Sequence, residues 1–462
     1  MKKTILIIII LIPSIVIAFL LISLYAIFTN YPTRQVNRIF QKNILWQINT
    51  NRNKSQISDN NDVWINEKHN ILLTLCAQSI CAYKIPSGKL LYEYKFTEKY
   101  RFHISTEIND DIYIFRSDKE IVAINIHNGR DIWRKNYKDE GLISTSQIFN
   151  SDYGSIGKND VLVVYRSEPG SSPYIPIFDG FNIYTGEHLW SFKPRTYAFA
   201  GIHAKVFGDK LIIGNDYGNL SIYSIMTGLL EQSINISSDD VYPIEQHGQY
   251  LILRKGINAL KGIVVYDSIS NAILWSNTVK KNDLVVKSVC VHDFNRVVLL
   301  FGGVFMKSEI QILDLVSGTL EKKISLPTEA ELVHCNDGYV YAESVTLWPE
   351  QDKGAVYIIN PKAGTFQQVV FDAKILPYST NYSYGALYIP SQDSRLYKYE
   401  IGKGSMWTLF GLLHPYQLQY PLSTTVSHAM GKPLIYRGII YVKGADGYIY
   451  AVRNNPQLRI IP

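Results

Sequence analysis

The sequence predicts an all-β propeller of eight or nine four-stranded blades, behind a single N-terminal membrane helix. Three observations carry the fold. A tight turn recurs at Ser87-Gly88, Asn128-Gly129, Thr185-Gly186, Thr227-Gly228, Ser270-Asn271, Ser317-Gly318, Ala363-Gly364 and Lys403-Gly404, with a degenerate copy at Asn454-Asn455. The steps between these turns are 41, 57, 42, 43, 47, 46, 40 and 51 residues, a period in the mid-forties with one large insertion, which is the length of a propeller blade. Within each period the order of short apolar strands and polar turns is the same, without a convincing amphipathic helix. An aromatic residue also recurs after the turn, at the start of the outgoing strand.

The unit around Thr185-Gly186-Glu187-His188-Leu189-Trp190 is the clearest. Phe181-Asn182-Ile183-Tyr184 reads as a strand, Gly186 supplies the positive φ of the turn, and Trp190 opens the next strand with a large apolar ring. Trp46, Trp133, Trp190, Trp275 and Trp407 occupy this outer-strand slot, and Tyr92 fills it in the first unit. Such a ring, packed onto the neighbouring blade, should stabilise the joint by ~2–3 kcal/mol. Gln232, Lys322 and Gln368 hold the slot in three other units, so weaker joints are expected there. Ile44-Leu45-Trp46-Gln47-Ile48 reads as an outer strand before any complete unit, and the last unit ends near Val452 without a strong one. The N-terminal strand is therefore expected to complete the final blade and cover its edge.

Gly385-Ala386-Leu387-Tyr388-Ile389 with Ser394-Arg395-Leu396-Tyr397-Lys398-Tyr399, and Gly438-Ile439-Ile440-Tyr441-Val442 with Gly447-Tyr448-Ile449-Tyr450-Ala451-Val452, resemble the repeats of PQQ-like, or quinoprotein-dehydrogenase-like, β-propellers. The resemblance covers about residues 40 to 455. Enzymes of that family bind pyrroloquinoline quinone and calcium, with a vicinal disulfide, a stacking tryptophan and Glu, Asn and Asp side chains. This chain has no adjacent cysteine pair, and Asp239-Asp240 and Asp293 are isolated and turn-like. No cofactor, metal site or catalytic residue is therefore expected, and the quinone-dependent dehydrogenase stands as the alternative. The nearest functional analogy within the family is the propeller lipoprotein of the outer-membrane assembly machine, a scaffold without catalytic residues.

The chain divides into residues 1–28, a cytoplasmic start and transmembrane anchor; 29–43, a polar tether; and 44–462, the propeller. Thr4 to Phe28 carries no charge and as a helix spans about 37 Å, enough to cross a bilayer with tilt. Lys2 and Lys3 place the N-terminus in the cytoplasm, and the propeller on the extracytoplasmic, periplasmic side. The apolar run is longer than that of a cleaved signal peptide and lacks a small-x-small exit.

The net charge of +6 is scattered, with no basic run interleaved with aromatics, so nucleic acid is not an expected partner. Cys76 and Cys81 flank Ala77-Gln78-Ser79-Ile80, where a hairpin would bring them to disulfide distance; a reduced, buried pair fits equally well. Cys290 and Cys335 fall on inner strands of adjacent units, and spacing does not decide whether they pair. Five histidines, His103, His203, His292, His334 and His428, lie near inner strands at differing heights, which favours imidazoles satisfied one by one over a metal site.

Long connections between second and third strands, at Glu168–Pro176, Gly256–Lys261, Gly302–Lys307 and Val345–Lys353, suit a binding face for a protein partner, and tolerated insertion drift accounts for them equally well. Leu347 and Trp348 in the last of them are the candidate anchors; the apolar ring equally suits packing on its own blade edge. A sensor or polysaccharide-binding propeller is a further alternative.

Overall fold

A computed structural model describes residues 43–50, 63–137, 156–167, 176–194, 203–302, 307–344, 353–411 and 432–454, apart from short loop stretches within those spans. The polypeptide builds nine four-stranded antiparallel sheets, the blades of an all-β propeller. They fall into two compact units: Trp64–Asp372 holds blades one to seven, and Met1–Val63 with Ala373–Pro462 holds blades eight and nine. Among the described residues no helix is long and apolar enough to cross a membrane; Thr4–Phe28 lies outside them.

Blade three shows how sequence becomes blade. Val161–Ser167 and Pro176–Asn182 are central strands, buried on both faces as far as Tyr165 in the first and along nearly all of the second. His188–Phe192 is the outer strand, with Leu189 and Ser191 turned to water and Trp190 turned inward. The turn between them is built by Asn182, whose Oδ1 accepts from the Tyr184 N–H (2.9 Å) and the Thr185 N–H (3.0 Å), while the Gly186 N–H bonds the Asn182 carbonyl at 2.9 Å. Gly186 takes φ +70°, where a side chain would be strained. Asp314 and Asn360 make the same paired contacts to the backbone two and three residues on, at Val316 and Ser317 and at Lys362 and Ala363. These Asx contacts hold the Asp314 carboxyl below the usual carboxylate range, the Ser317 N–H being the main cause.

In blades one to six the pairing of third and outer strands slips by one residue at the bulge beside the aromatic slot, as between Ala123 and Ile124 or Gly180 and Phe181. The bulge bends the outer strand and re-aims its side chain toward the neighbouring blade.

The core lies between blades. Ile112, Ile114, Ile121, Ala123 and Trp133 of blade two pack with Leu162, Val164, Phe181 and Ile183 of blade three. Equivalent clusters join blades one and two, three and four, four and five, five and six, and six and seven in the larger unit. In the smaller unit another joins eight and nine.

Ile44–Asn49 pairs antiparallel with Tyr448–Arg453, Trp46 opposite Ala451, so the N-terminal strand supplies the fourth strand of blade nine. The Trp46 ring lies 5.8 Å from that of Tyr441, and the Asn43 Nδ2 donates to the buried Leu409 carbonyl of blade eight at 2.7 Å. Deleting residues 44–49 therefore leaves Tyr448–Arg453 as a bare edge. The expected result is a lowered thermal midpoint with self-association on size-exclusion chromatography; a monomer of unchanged midpoint would show that the strand is dispensable.

Candidate functional site

The aromatic slot resolves into one repeated joint. Trp133 of blade two donates its indole N–H to the Ile183 carbonyl of blade three at 2.6 Å. Trp190 bonds the Ile225 carbonyl of blade four at 2.7 Å, and Trp275 the Leu315 carbonyl of blade six at 2.9 Å. The Tyr92 hydroxyl of blade one does the same to Ile126 of blade two at 2.8 Å, and burial pushes that hydroxyl well above an ordinary tyrosine. Each accepting residue stands three positions before the turn glycine, and the ring lies flat on that glycine. A Cβ at Gly186 would sit 2.6 Å from Trp133, one at Gly228 2.8 Å from Trp190, one at Gly318 2.6 Å from Trp275.

The ring also needs room in its own blade. Tyr92 stands opposite Ala82, Trp133 opposite Ala123, Trp190 opposite Gly180 and Trp275 opposite Val265. Gln232 and Lys322 instead stand opposite Ile222 and Ile312. Large ring and small partner trade volume, as close packing requires. Trp407 departs from the pattern: it comes three residues after Gly404, faces Lys398, and its indole N–H has no hydrogen-bond partner. Gln368 bonds the Tyr357 hydroxyl of its own blade at 3.3 Å.

The joints without a ring are held by other means. Between blades four and five, Gln232 hydrogen-bonds the Tyr266 hydroxyl, which donates to Asn271 at 3.0 Å, and the Lys205 Nζ donates to the Ile244 carbonyl at 2.5 Å. Between blades six and seven the Lys322 stem lies over Gly364, at 3.4 Å from a Cβ built there. At that same joint Cys290 and Cys335 form a disulfide between the innermost strands, Cα–Cα 5.7 Å, and Lys287 pairs with Glu329 at 2.5 Å. Cys76 and Cys81 form the second disulfide, within blade one. The turn there is tighter than a four-residue loop, since Ser79 already pairs with Cys76 and Ile80 with Leu75. The expectation of weaker joints thus meets a covalent tie at one of the three.

Leu347 and Trp348 lie outside the described residues, as do His428 and the centres of the long connections at 168–175, 303–306 and 345–352. Of the inner-strand histidines, His292 is buried beside the Asp293 carboxylate (3.3 Å), and neither ring nitrogen makes a hydrogen bond. His334 is half-buried in the first strand of blade seven. The side chains that do converge come from elsewhere. His69 in blade one and Asp111 and His127 in blade two bring three ligand-type atoms within 4.8 Å of one another. Sequence reasoning passed over them because it searched inner strands, whereas all three stand on turns.

No family model and no curated protein matches the sequence. Among solved structures the chain is similar to the computationally designed protein Ika8, at 14% identity and TM-score 0.48 over 77% of this chain and 98% of that one. BamB from Moraxella catarrhalis is similar at 14% identity and TM-score 0.46, over 76% of this chain and 96% of that one. The dihydro-heme d1 dehydrogenase NirN is similar at 11% identity and TM-score 0.48, over 78% of this chain and 76% of that one. Likeness at this level carries nothing about ligand or partner.

Proposed function

We propose that the chain is a membrane-anchored, extracytoplasmic β-propeller that serves as a non-catalytic scaffold for another protein. The observation that carries the scaffold reading is a recurring display of apolar side chains around the blade turns. Blades three to six each expose two: Tyr184 and Leu189, Met226 and Leu229, Ile269 and Ile273, Val316 and Leu320. Leu229 is 67% and Ile269 73% exposed, although the joints beneath them are closely packed. Scattered apolar residues are ordinary on a protein surface, but a periodic set fixed to rigid turns is suited to a long partner that crosses several blades. The pairing of all four cysteines supports the extracytoplasmic reading, because disulfides suit an oxidising space. The uncharged run Thr4–Phe28 behind Lys2 and Lys3 would hold the propeller there.

The test is capture from cross-linked membranes with the full chain as bait. Leu229→Asp with Ile269→Asp should reduce recovery of the partner by at least tenfold and leave the melting temperature unchanged, because neither side chain is buried. Trp348→Ala should act likewise, at ~2–4 kcal/mol of binding, if that loop ring is an anchor. Unchanged capture by both variants would sink the scaffold reading, and stoichiometric uptake of pyrroloquinoline quinone with calcium would replace it by the dehydrogenase. A reporter fused after Pro462 that is active only in the cytoplasm would reverse the topology.

A further inference from the structure

We infer that His69, Asp111 and His127 form a binding site for one zinc-class divalent transition-metal ion, which staples blade one to blade two. The three residues come from three turns. His69 lies in the turn between Val63–Asn66 and Ile71–Cys76; Asp111 immediately precedes Ile112–Ser117; His127 lies between Glu120–Asn125 and Asp131–Asn136. Each turn is fixed by its own backbone bonds. The His69 N–H donates to Asn66 Oδ1 at 2.8 Å, the His127 N–H to Asn125 Oδ1 at 3.0 Å, and the Asp111 carbonyl accepts the Ile126 N–H at 2.9 Å. The donors are thus held in place before any ion arrives.

Both imidazoles bring Nε2 close to one carboxylate oxygen. His127 Nε2 is 3.0 Å and His69 Nε2 3.2 Å from Asp111 Oδ1, and the two rings meet at 4.0 Å between centroids. Metal–nitrogen bonds of ~2.0–2.1 Å and metal–oxygen bonds of ~2.0–2.2 Å place neighbouring donors on a tetrahedral ion about 3.3 Å apart, close to the two nitrogen–oxygen separations here. Hydrogen bonding alone accounts for only one of the two histidines. The His127 contact is a hydrogen bond, but His69 Nε2 is shut off from solvent and makes none. A cation between the three atoms satisfies that nitrogen as well as the shared carboxylate. Two imidazoles and one carboxylate suit zinc and its neighbours in the transition series, whereas calcium and magnesium take oxygen ligands. Asp111 and His127 are half-exposed, so an ion can enter, and the fourth position is left to water. Lys68 and the Lys84 ammonium, which bonds the His69 carbonyl at 3.1 Å, lie close by and oppose the cation. The site therefore favours a firmly coordinated ion over loose electrostatic attraction.

The position gives the site a purpose. It lies at the joint where Tyr92 stands in place of a tryptophan, and His127 directly follows the Ile126 carbonyl that Tyr92 holds. The test uses the full chain in detergent, stripped with chelator and titrated with zinc chloride, and with cobalt chloride as a spectroscopic probe. One equivalent of zinc should bind and raise the thermal midpoint, and cobalt should give the strong visible absorption of a low-coordinate site. His127→Ala and His69→Ala should each weaken uptake by about 100-fold or more. His127→Ala should leave the metal-free midpoint unchanged, since its ring is partly in water, so it decides the matter even if His69→Ala folds poorly. Failure to take up an equivalent of zinc, or uptake that His127→Ala does not weaken, would overturn the site.

Discussion

Gly186→Ala is expected to lower stability by about 2–5 kcal/mol, far more than an alanine usually costs in a turn. Two terms add. The residue sits at φ +70°, where an L side chain costs ~1–2 kcal/mol. The new Cβ would also stand 2.6 Å from the Trp133 ring, and overpacking of that kind costs ~1–3 kcal/mol. Gly364→Ala separates the two terms. Its φ of +73° is nearly the same, but its Cβ would meet only the Lys322 stem at 3.4 Å, ordinary contact, so the backbone term alone should remain, ~1–2 kcal/mol. A double-mutant cycle closes the argument. In a Trp133→Ala background, itself expected to cost ~3–5 kcal/mol, Gly186→Ala should lose its steric part and cost no more than Gly364→Ala. Urea denaturation of the unsubstituted protein and these four variants measures this. Equal losses at the two glycines, or additive losses in the double variant, would mean that ring and turn do not share a contact.

That joint explains how much of the fold could be read from the chain. The turn glycines and outer-strand rings are legible because both answer to local constraints that recur along the chain: a positive φ, and in blades one, two, three and five a ring four residues after that turn residue. The pairing of Ile44–Asn49 with the last blade was legible for a similar reason, since a strand that opens the chain alone has an edge to fill. What local reading missed is joint-specific. Trp190 needs Gly180 across the strand pair, and Lys322 is tolerated beside Ile312, yet these pairs are matched through space by a bulge that no propensity marks. Asn182 and Asp314 build their turns from four residues before the glycine, a spacing visible in the sequence once the contact is known. His69 and Asp111 lie nearly one blade period apart and stand on equivalent turns of adjacent blades. A search at the repeat period, rather than along single strands, would have brought them together. The candidate anchors Leu347 and Trp348 and the uncharged segment Thr4–Phe28 fall outside the described residues, so the roles proposed for them rest on the sequence.

The second large effect is expected at the joint between blades six and seven. Lys322 leaves that joint without an aromatic clasp, and the disulfide Cys290–Cys335 spans it at the opposite, inner edge of the blades. A crosslink stabilises mainly by limiting the unfolded chain, in proportion to the logarithm of the loop it closes. The sequence separation of 45 residues corresponds to ~4 kcal/mol, against ~2 kcal/mol for the separation of 5 closed by Cys76–Cys81. The sulfurs also pack against the shared core of Val298, Ile310, Val333, Val340 and Tyr357, so their removal thins the contact as well as freeing the chain. Cys290→Ala with Cys335→Ala should therefore cost about twice what Cys76→Ala with Cys81→Ala costs. Hydrogen exchange should show the loss first in Arg296–Gly302 and Tyr339–Ser344, the strands that flank the joint, while Val161–Ser167, beside two ring-clasped joints, keeps its protection. Were the two double variants equally stable, the inner disulfide would be redundant with the Lys287 ion pairs to Glu329 and Glu331. Charge reversal at Lys287, rather than loss of the crosslink, would then be what opens the blades.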